Sequence, residues 1–190
     1  MSGPGGTRER IVAQAARLFR EQGVTGTGVL AVLAAAGAPR GSLYHHFPGG
    51  KEQLVVEALR FEADRVTADV RALMATRPDE ATAVRAFAEA LAVSLERSGF
   101  RLGCPVSTAA LELSSQSEAV REVCAQTYAD WQGLIAAHAV AVGYDETAAQ
   151  ARAELVLAAL EGAMLLARAA RDGDVLRRTA TSLVSPPAPR

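Results

Sequence analysis

A short segment rich in hydrogen-bond donors follows a glycine in the first quarter of the 190-residue chain. Arg40 can donate two hydrogen bonds to one guanine base, and Gly41 lets the backbone approach a partner closely. Ser42 can donate to a base edge or to a phosphate. Further polar groups suited to phosphate contact lie at the edges of this segment: Thr27, Tyr44, His45 and His46. Donors of these types, close together in sequence, indicate a site that binds nucleic acid.

The charge distribution supports an anion-binding N-terminal region. Residues 1–51 carry six basic and two acidic side chains, a net charge of +4, and the remaining residues have a net charge of −5. The chain has one lysine, Lys51, at the start of a predicted helix, where backbone N–H groups and the helix dipole already attract phosphate. A basic N-terminal region followed by an acidic remainder of the chain favours a polyanion partner. The alternative is chance, because a few side chains decide the sign.

Three helices of decreasing length must position these donors. Apolar residues recur at helical spacing from Thr7 onward, and Thr27 is a suitable N-cap for a second, short helix. Gly37 predicts a tight turn before the third helix. We predict helices over residues 7–22, 27–36 and 40–46. A supporting helix, a glycine turn and a short donor-rich helix are typical of a helix-turn-helix.

The rest of the chain predicts longer helices and no strand. Alanine makes up 40 of 190 residues and aromatic residues 5%, which favours helices over an all-β fold. We expect an all-α fold of about nine helices. The predicted domains are a DNA-binding domain over residues 7–53 and a larger helical domain over 54–184, with disordered tails at 1–6 and 185–190.

Composition also bears on the compartment. No apolar stretch is long enough to span a membrane, and the first residues lack the pattern of a signal peptide. Two cysteines, Cys104 and Cys124, are too few for a disulfide-stapled scaffold and are expected to be small buried residues. We therefore expect a soluble, cytoplasmic protein without membrane association.

Two motifs give the chain a family resemblance. Leu43-Tyr44-His45-His46-Phe47, followed by Lys51-Glu52-Gln53-Leu54, resembles the DNA-binding signature of the TetR family of transcriptional repressors. The segments over residues 103–106 and 160–163 are similar to the LmrA/YxaF-like branch. The resemblance implies a homodimer that binds a palindromic double-stranded DNA operator and is released by a small-molecule effector. Gly28 and Pro39 depart from the family pattern, which usually has hydroxyl residues there.

The resemblance also implies that the last two helices, about 145–171 and 174–184, form the dimer interface. Small and apolar residues along the first of these helices would permit close helix approach. They could equally pack inside one monomer. The candidate interface residues are Leu155, Ala158, Ala159, Gly162, Ala163 and Leu166.

Aromatic and sulfur-containing side chains in the larger domain are candidates for an effector pocket, although most such stripes are simply core. The candidates are Phe61, Phe87, Phe100, Cys104, Tyr128, Trp131, His138 and Met164. Glu112 and Glu161 are acidic candidates that could equally face water. The set favours an apolar, aromatic effector that is neutral or weakly charged.

Enzyme and metal chemistry are poorly supported. Ser42, Tyr44 and His46 have no nearby acidic partner to orient an imidazole, and no Gly-x-Ser-x-Gly motif occurs. Cys124 and His138 would lie about 21 Å apart along one helix, too far to share an ion. We expect no catalytic residue, no metal and no cofactor. The other alternative is a helical adaptor protein that only dimerises, but such a protein would not need the basic N-terminal region.

Overall fold

The structure, a computed structural model, describes residues 6–184. Within that range the chain forms nine α-helices and no β-strand: α1 (Thr7–Gln22), α2 (Val29–Ala35), α3 (Ser42–His46), α4 (Gly50–Ala75), α5 (Glu80–Arg97), α6 (Pro105–Leu113), α7 (Glu118–Ala141), α8 (Glu146–Ala170) and α9 (Asp174–Val184). The predicted all-α class is confirmed. The tails expected to be disordered lie outside the described residues, except for Gly6. No described helix has the length and apolarity that a membrane span requires.

The helices fall into two compact units. The first contains the residues up to Arg65 together with Cys104–Thr127, and the second contains Val66–Gly103 together with the residues from Tyr128 onward. The expected boundary between residues 53 and 54 does not coincide with this division. α6 and the first half of α7 belong to the unit that holds the N-terminal helices, and α6 packs against α1.

The core of the first unit follows the predicted periodicity of α1. Ile11, Ala15, Leu18 and Phe19 are buried, and they lie on one face of the helix at the expected spacing. Phe47, which follows α3, is completely buried as well. Burial of these side chains fixes α1 and α3 within one apolar core.

A buried carboxylate lies on the inner face of α4. Glu62 is buried; Arg20 Nη1 lies 2.9 Å and Arg65 Nη2 2.5 Å from its carboxylate. Phe61, the neighbouring candidate for the effector pocket, is 45% exposed because the helix presents Glu62 inward. Charge pairing with the two arginines compensates the loss of hydration of Glu62.

In the second unit, a polar cluster ties α5, α8 and α9 together. The carboxylate of Glu80 accepts hydrogen bonds from Arg152 Nε at 2.5 Å and from the Tyr144 hydroxyl at 2.9 Å. Arg152 Nη2 also donates to the carbonyl of Leu183 in the last turn of α9. The hydrogen bond to Glu80 and its negative charge raise the pKa of Tyr144 above its ordinary value.

Candidate nucleic-acid interface

The connection between α2 and α3 is a tight turn that begins at a left-handed glycine. Gly37 has a φ of +61°, a conformation that residues with a side chain rarely adopt. Ala38 N donates to the Leu33 carbonyl, and Ser42 N donates to the Pro39 carbonyl, both at 2.9 Å. These two bonds place α3 directly after α2. They also explain why α3 begins at Ser42 instead of Arg40, since residues 39–42 form a separate turn.

The start of α3 presents a polar exposed face, which we call the α3 surface. Arg40, Gly41, Tyr44 and His45 are exposed, and Tyr44 reaches 72% exposure. Leu43, between them in sequence, is buried. Four of the residues predicted to contact DNA therefore lie together on one surface. The buried Leu43 attaches this surface to the core.

Ser42 and His46, which were also predicted to contact DNA, are half-buried. The ring of His46 makes edge-to-face contacts with His45, at a centroid distance of 4.7 Å, and with Phe47, at 6.4 Å. His46 thus lies between the exposed α3 surface and the buried Phe47. Its aromatic contacts link the two.

The prediction that Thr27 contacts DNA is wrong. Thr27 is only 1% exposed, and its hydroxyl donates a 2.6 Å hydrogen bond to the Gly23 carbonyl at the end of α1. Thr27 is not the N-cap of α2 either, because that helix begins at Val29 and Gly28 precedes it. The turn packs against the end of α1, so the threonine hydroxyl points into the protein and not toward a partner.

Lys51 lies in the first turn of α4, as predicted, but its side chain has a partner within the protein. The half-buried ammonium donates a 2.9 Å hydrogen bond to the Val24 carbonyl in the α1–α2 turn. An ammonium has three N–H donors, so two remain available for phosphate oxygens. Lys51 can therefore hold the turn and contact DNA at the same time.

Arg8 supports this unit and was not singled out by sequence. Its guanidinium carbon lies 5.4 Å from the centroid of the Phe47 ring, and its Nη2 is 2.6 Å from Glu57 on α4. Arg8 on α1 therefore contacts both Phe47, the residue that follows α3, and Glu57 on α4. No local motif marks it, since both partners lie far along the chain.

Comparison with known proteins is consistent with this geometry. A family model described as "Bacterial regulatory proteins, tetR family" matches residues 11–58, and one described as "Transcriptional regulator LmrA/YxaF-like, C-terminal domain" matches residues 81–182. The HTH-type transcriptional regulator LmrA of Bacillus subtilis (strain 168) is 36% identical over 172 residues, covering 90% of this chain and 92% of that relative. This chain belongs to the TetR family. Like the members it resembles, it is a regulator of transcription and not an enzyme.

Solved structures agree with the fold. A TetR transcriptional regulator from Chloroflexus aurantiacus J-10-FL is 32% identical, with a TM-score of 0.77, and the match covers 93% of this chain and 91% of that one. A TetR transcriptional regulator from Legionella pneumophila has a TM-score of 0.83 at 21% identity, covering 96% and 97% of the two chains. At that identity the second match supports the fold alone.

The candidate effector-binding residues of this TetR-family regulator are divided between the two units. Phe61 and Cys104 belong to the first unit, whereas the other six candidates belong to the second. Phe61 is not suited to a buried pocket because it lies on the exposed side of α4. Cys104 is half-buried and precedes α6, where its sulfur accepts a hydrogen bond from Ser107 N.

The aromatic candidates on α7 make direct contacts with one another and with α4. Trp131 is buried, and its indole Nε1–H donates a 3.0 Å hydrogen bond to Thr67 Oγ1. Tyr128 packs edge-to-face against Trp131 at a centroid distance of 6.0 Å. The buried His138 Nε2 has no hydrogen-bond partner. The remaining candidates, Phe87, Phe100 and Met164, are half-buried.

The two thiols differ in their surroundings. Cys124 is buried on α7 and its sulfur lies 3.6 Å from the Val106 carbonyl. Burial raises the pKa of the Cys124 thiol above its ordinary value. The expectation of a buried cysteine therefore holds for Cys124, whereas Cys104 is only half-buried because it caps the start of α6.

One side of α8 carries a continuous apolar surface, which we call the α8 face: Leu155, Ala158, Gly162, Leu165 and Leu166 are all exposed. Their spacing places them within about 100° around the helix axis. Ala163 does not belong to this face, because it is 2% exposed and packs inside the protomer. Ala159 is half-buried at the edge. Leu165 also belongs to this face, although it was not among the candidate interface residues.

Proposed function

We propose that this TetR-family regulator is a homodimeric repressor that binds a palindromic DNA operator through its α3 surface. The observation that carries the proposal is the set of exposed donors on that surface. Arg40, in the turn before α3, and Tyr44, within α3, are both exposed on a unit whose first 51 residues have a net charge of +4. A short helix with a slim, donor-rich start fits the major groove, and the basic surroundings attract the phosphate backbone.

The α8 face supports dimerisation. Leu165 and Leu166 are each more than 60% exposed, and the exposed Gly162 would allow a second helix to approach closely. Two-fold pairing of this face would bury the leucines of both copies in one interface. A two-fold dimer places two α3 surfaces in register with a two-fold symmetric operator, so that each surface contacts one half-site.

We propose that the effector is a small apolar molecule with an aromatic part, neutral or weakly charged. The buried Trp131 and the half-buried Tyr128 and Met164 favour such a ligand. Glu112 is no longer a candidate, because its carboxylate is engaged with the backbone of Thr25. Release from DNA requires that the effector bind the DNA-free conformation of the dimer more tightly than the DNA-bound conformation.

Selection from random double-stranded DNA tests the proposal. We expect purified wild-type protein to enrich two-fold symmetric sequences with half-sites about 34–36 Å apart, or a related spacing if the dimer is wider. Light scattering should give the mass of a dimer at micromolar concentration. Enrichment of asymmetric sites, or a monomer with undiminished DNA affinity, would contradict the homodimer on a palindrome.

A thermal-shift screen with aromatic compounds tests the effector. A ligand at 100 times its dissociation constant should raise the free energy of unfolding by about 2.7 kcal/mol. A true effector should also dissociate the selected operator complex. A compound that stabilises the protein without changing DNA affinity is a ligand but not an effector, and a set of hits confined to strongly charged compounds would contradict the proposed chemistry.

A further inference from the structure

A carboxylate on α6 holds the turn between α1 and α2. Glu112 Oε2 accepts a 2.7 Å hydrogen bond from the backbone N–H of Thr25, which lies 87 residues away in sequence. Both residues belong to the first compact unit. Hydrogen bonds to a charged acceptor are stronger than neutral ones, so this contact is well suited to fix the turn.

The turn is shaped around that carboxylate. Gly23 has a φ of +79°, and a Cβ atom added there would lie 2.3 Å from Glu112 Oε1. The positive φ favours glycine at this position, and a side chain there would also displace the end of the Glu112 side chain. The Glu112 carboxylate therefore lies directly against the backbone of the turn.

Two further polar contacts of the turn come from a residue of the turn itself and from α4. Thr27 donates to the Gly23 carbonyl, and Lys51 donates to the Val24 carbonyl. Glu112 differs because it reaches the turn from α6. It thereby connects the helix-turn-helix to a part of the chain that follows α5.

We propose that Glu112 is a positioning residue for DNA binding: it fixes the α1–α2 turn on α6 and so sets the direction of α2 and of the α3 surface. The inference rests on the proposed function, since it assumes a dimer whose two α3 surfaces must match two half-sites. Removal of the Glu112 side chain leaves the buried Phe19 and Phe47 unaltered in sequence, so we expect the apolar core to persist. The helix-turn-helix therefore stays folded but samples more orientations, and the dimer tolerates more half-site spacings.

The test compares Glu112→Gln and Glu112→Ala with a matched control, Glu118→Gln. Glu118 is an exposed carboxylate in the same compact unit, and it pairs with Arg121 on its own helix. Dissociation constants are measured on the selected operator and on operators with one base pair inserted or deleted between half-sites. Thermal midpoints are measured in parallel. We expect Glu112→Ala to bind the selected operator about tenfold more weakly, the loss of one hydrogen bond to a charged group.

Spacing selectivity separates positioning from simple stability. In Glu112→Ala the preference for the selected spacing should fall several-fold, Glu112→Gln should lie between Ala and wild type, and Glu118→Gln should match wild type. If Glu112→Ala binds all three operators like wild type, the inference is overturned. So does a loss of affinity that is equal on all three operators and follows the thermal midpoint.

Amide hydrogen exchange provides a readout that does not depend on DNA. In Glu112→Ala the Thr25 amide should exchange at least about tenfold faster than in wild type, since its hydrogen-bond acceptor is gone. Unchanged exchange at Thr25 overturns the inference even if wild type binds a palindrome. Should wild type fail to select two-fold symmetric DNA, the proposed function falls, and the exchange rates still decide whether Glu112 holds the turn.

Discussion

The ammonium of Lys51 donates a 2.9 Å hydrogen bond to the Val24 carbonyl, so the first turn of α4 is tied to the turn that precedes α2. The position that the family signature marks with a lysine therefore has a role inside the protein. Two donors of the same ammonium remain for phosphate. The two roles predict different measurable consequences when the side chain is removed.

Lys51→Ala should lower the free energy of unfolding by about 1 kcal/mol, because the Val24 carbonyl loses its charged donor. It should also weaken binding to all DNA sequences alike and lower the slope of log affinity against log salt by about 0.9 for one lost phosphate contact. Arg60→Ala is the control: it removes an exposed positive charge about 14 Å further along α4. An unchanged salt slope in Lys51→Ala would show that the side chain holds the turn only.

Arg40→Ala should cost about 1–3 kcal/mol of binding free energy and relax the base preference at one position in each half-site. The reason is the exposed position of Arg40 at the start of the α3 surface, where a guanidinium can donate two bonds to guanine. Arg40→Lys keeps the charge but not the paired donors, so it should lose the base preference while keeping the salt slope. Binding to a base-substituted operator series measures both. A uniform loss over the whole series would mean that Arg40 contacts phosphate.

The elements of the fold were largely predictable, because helix periodicity and glycine turns act over a few residues. The buried face of α1, the turn at Gly37 and the class of the fold all follow from such local patterns. The α3 segment was predictable for the same reason. Its polar donors and its one buried residue, Leu43, lie within a few residues of each other. Local spacing decides which side of a short helix is exposed.

The errors arise where the contacts of the folded chain decide which side chains are exposed. Thr27 was expected to face DNA, but the folded turn directs its hydroxyl to Gly23. Phe61 was a candidate for the effector pocket, but it is exposed, and two arginines stabilise Glu62 on the inner face of α4. The role of Glu112 depends on Thr25, 87 residues earlier. The spacing of apolar residues along the sequence marks none of these polar contacts.

Leu166→Glu should weaken the dimer by at least about 100-fold. A two-fold interface brings the substituted residue of both copies into the same apolar contact, so two carboxylates would lose hydration together. Operator affinity should fall with the dimer. Leu111→Glu is the matched control, since Leu111 is 82% exposed but lies on α6, outside the α8 face. Sedimentation over a concentration series measures the equilibrium, and an undisturbed dimer in Leu166→Glu would place the interface elsewhere.

The two thiols should differ in reactivity and in their effect on stability at high pH. Burial raises the pKa of Cys124 in the folded protein above its unfolded value of about 8.5. The unfolded state therefore loses the proton first, so the free energy of unfolding should fall as pH rises above about 8.5. Cys124→Val should reduce that dependence. In an aromatic disulfide assay Cys104 should react first, and rapid reaction of Cys124 in folded protein would contradict its burial.

Trp131 is the single tryptophan of the chain, and its indole N–H donates to Thr67 Oγ1. Thr67→Val should lower the free energy of unfolding by about 1–3 kcal/mol, because it leaves a buried donor without an acceptor. Trp131→Ala should cost about 3–5 kcal/mol, and Trp131→Phe less. An effector bound beside the indole should change the fluorescence of wild type and bind Trp131→Phe more weakly, with operator affinity unchanged. If Trp131→Phe loses stability but binds the effector like wild type, Trp131 is core and the pocket lies elsewhere.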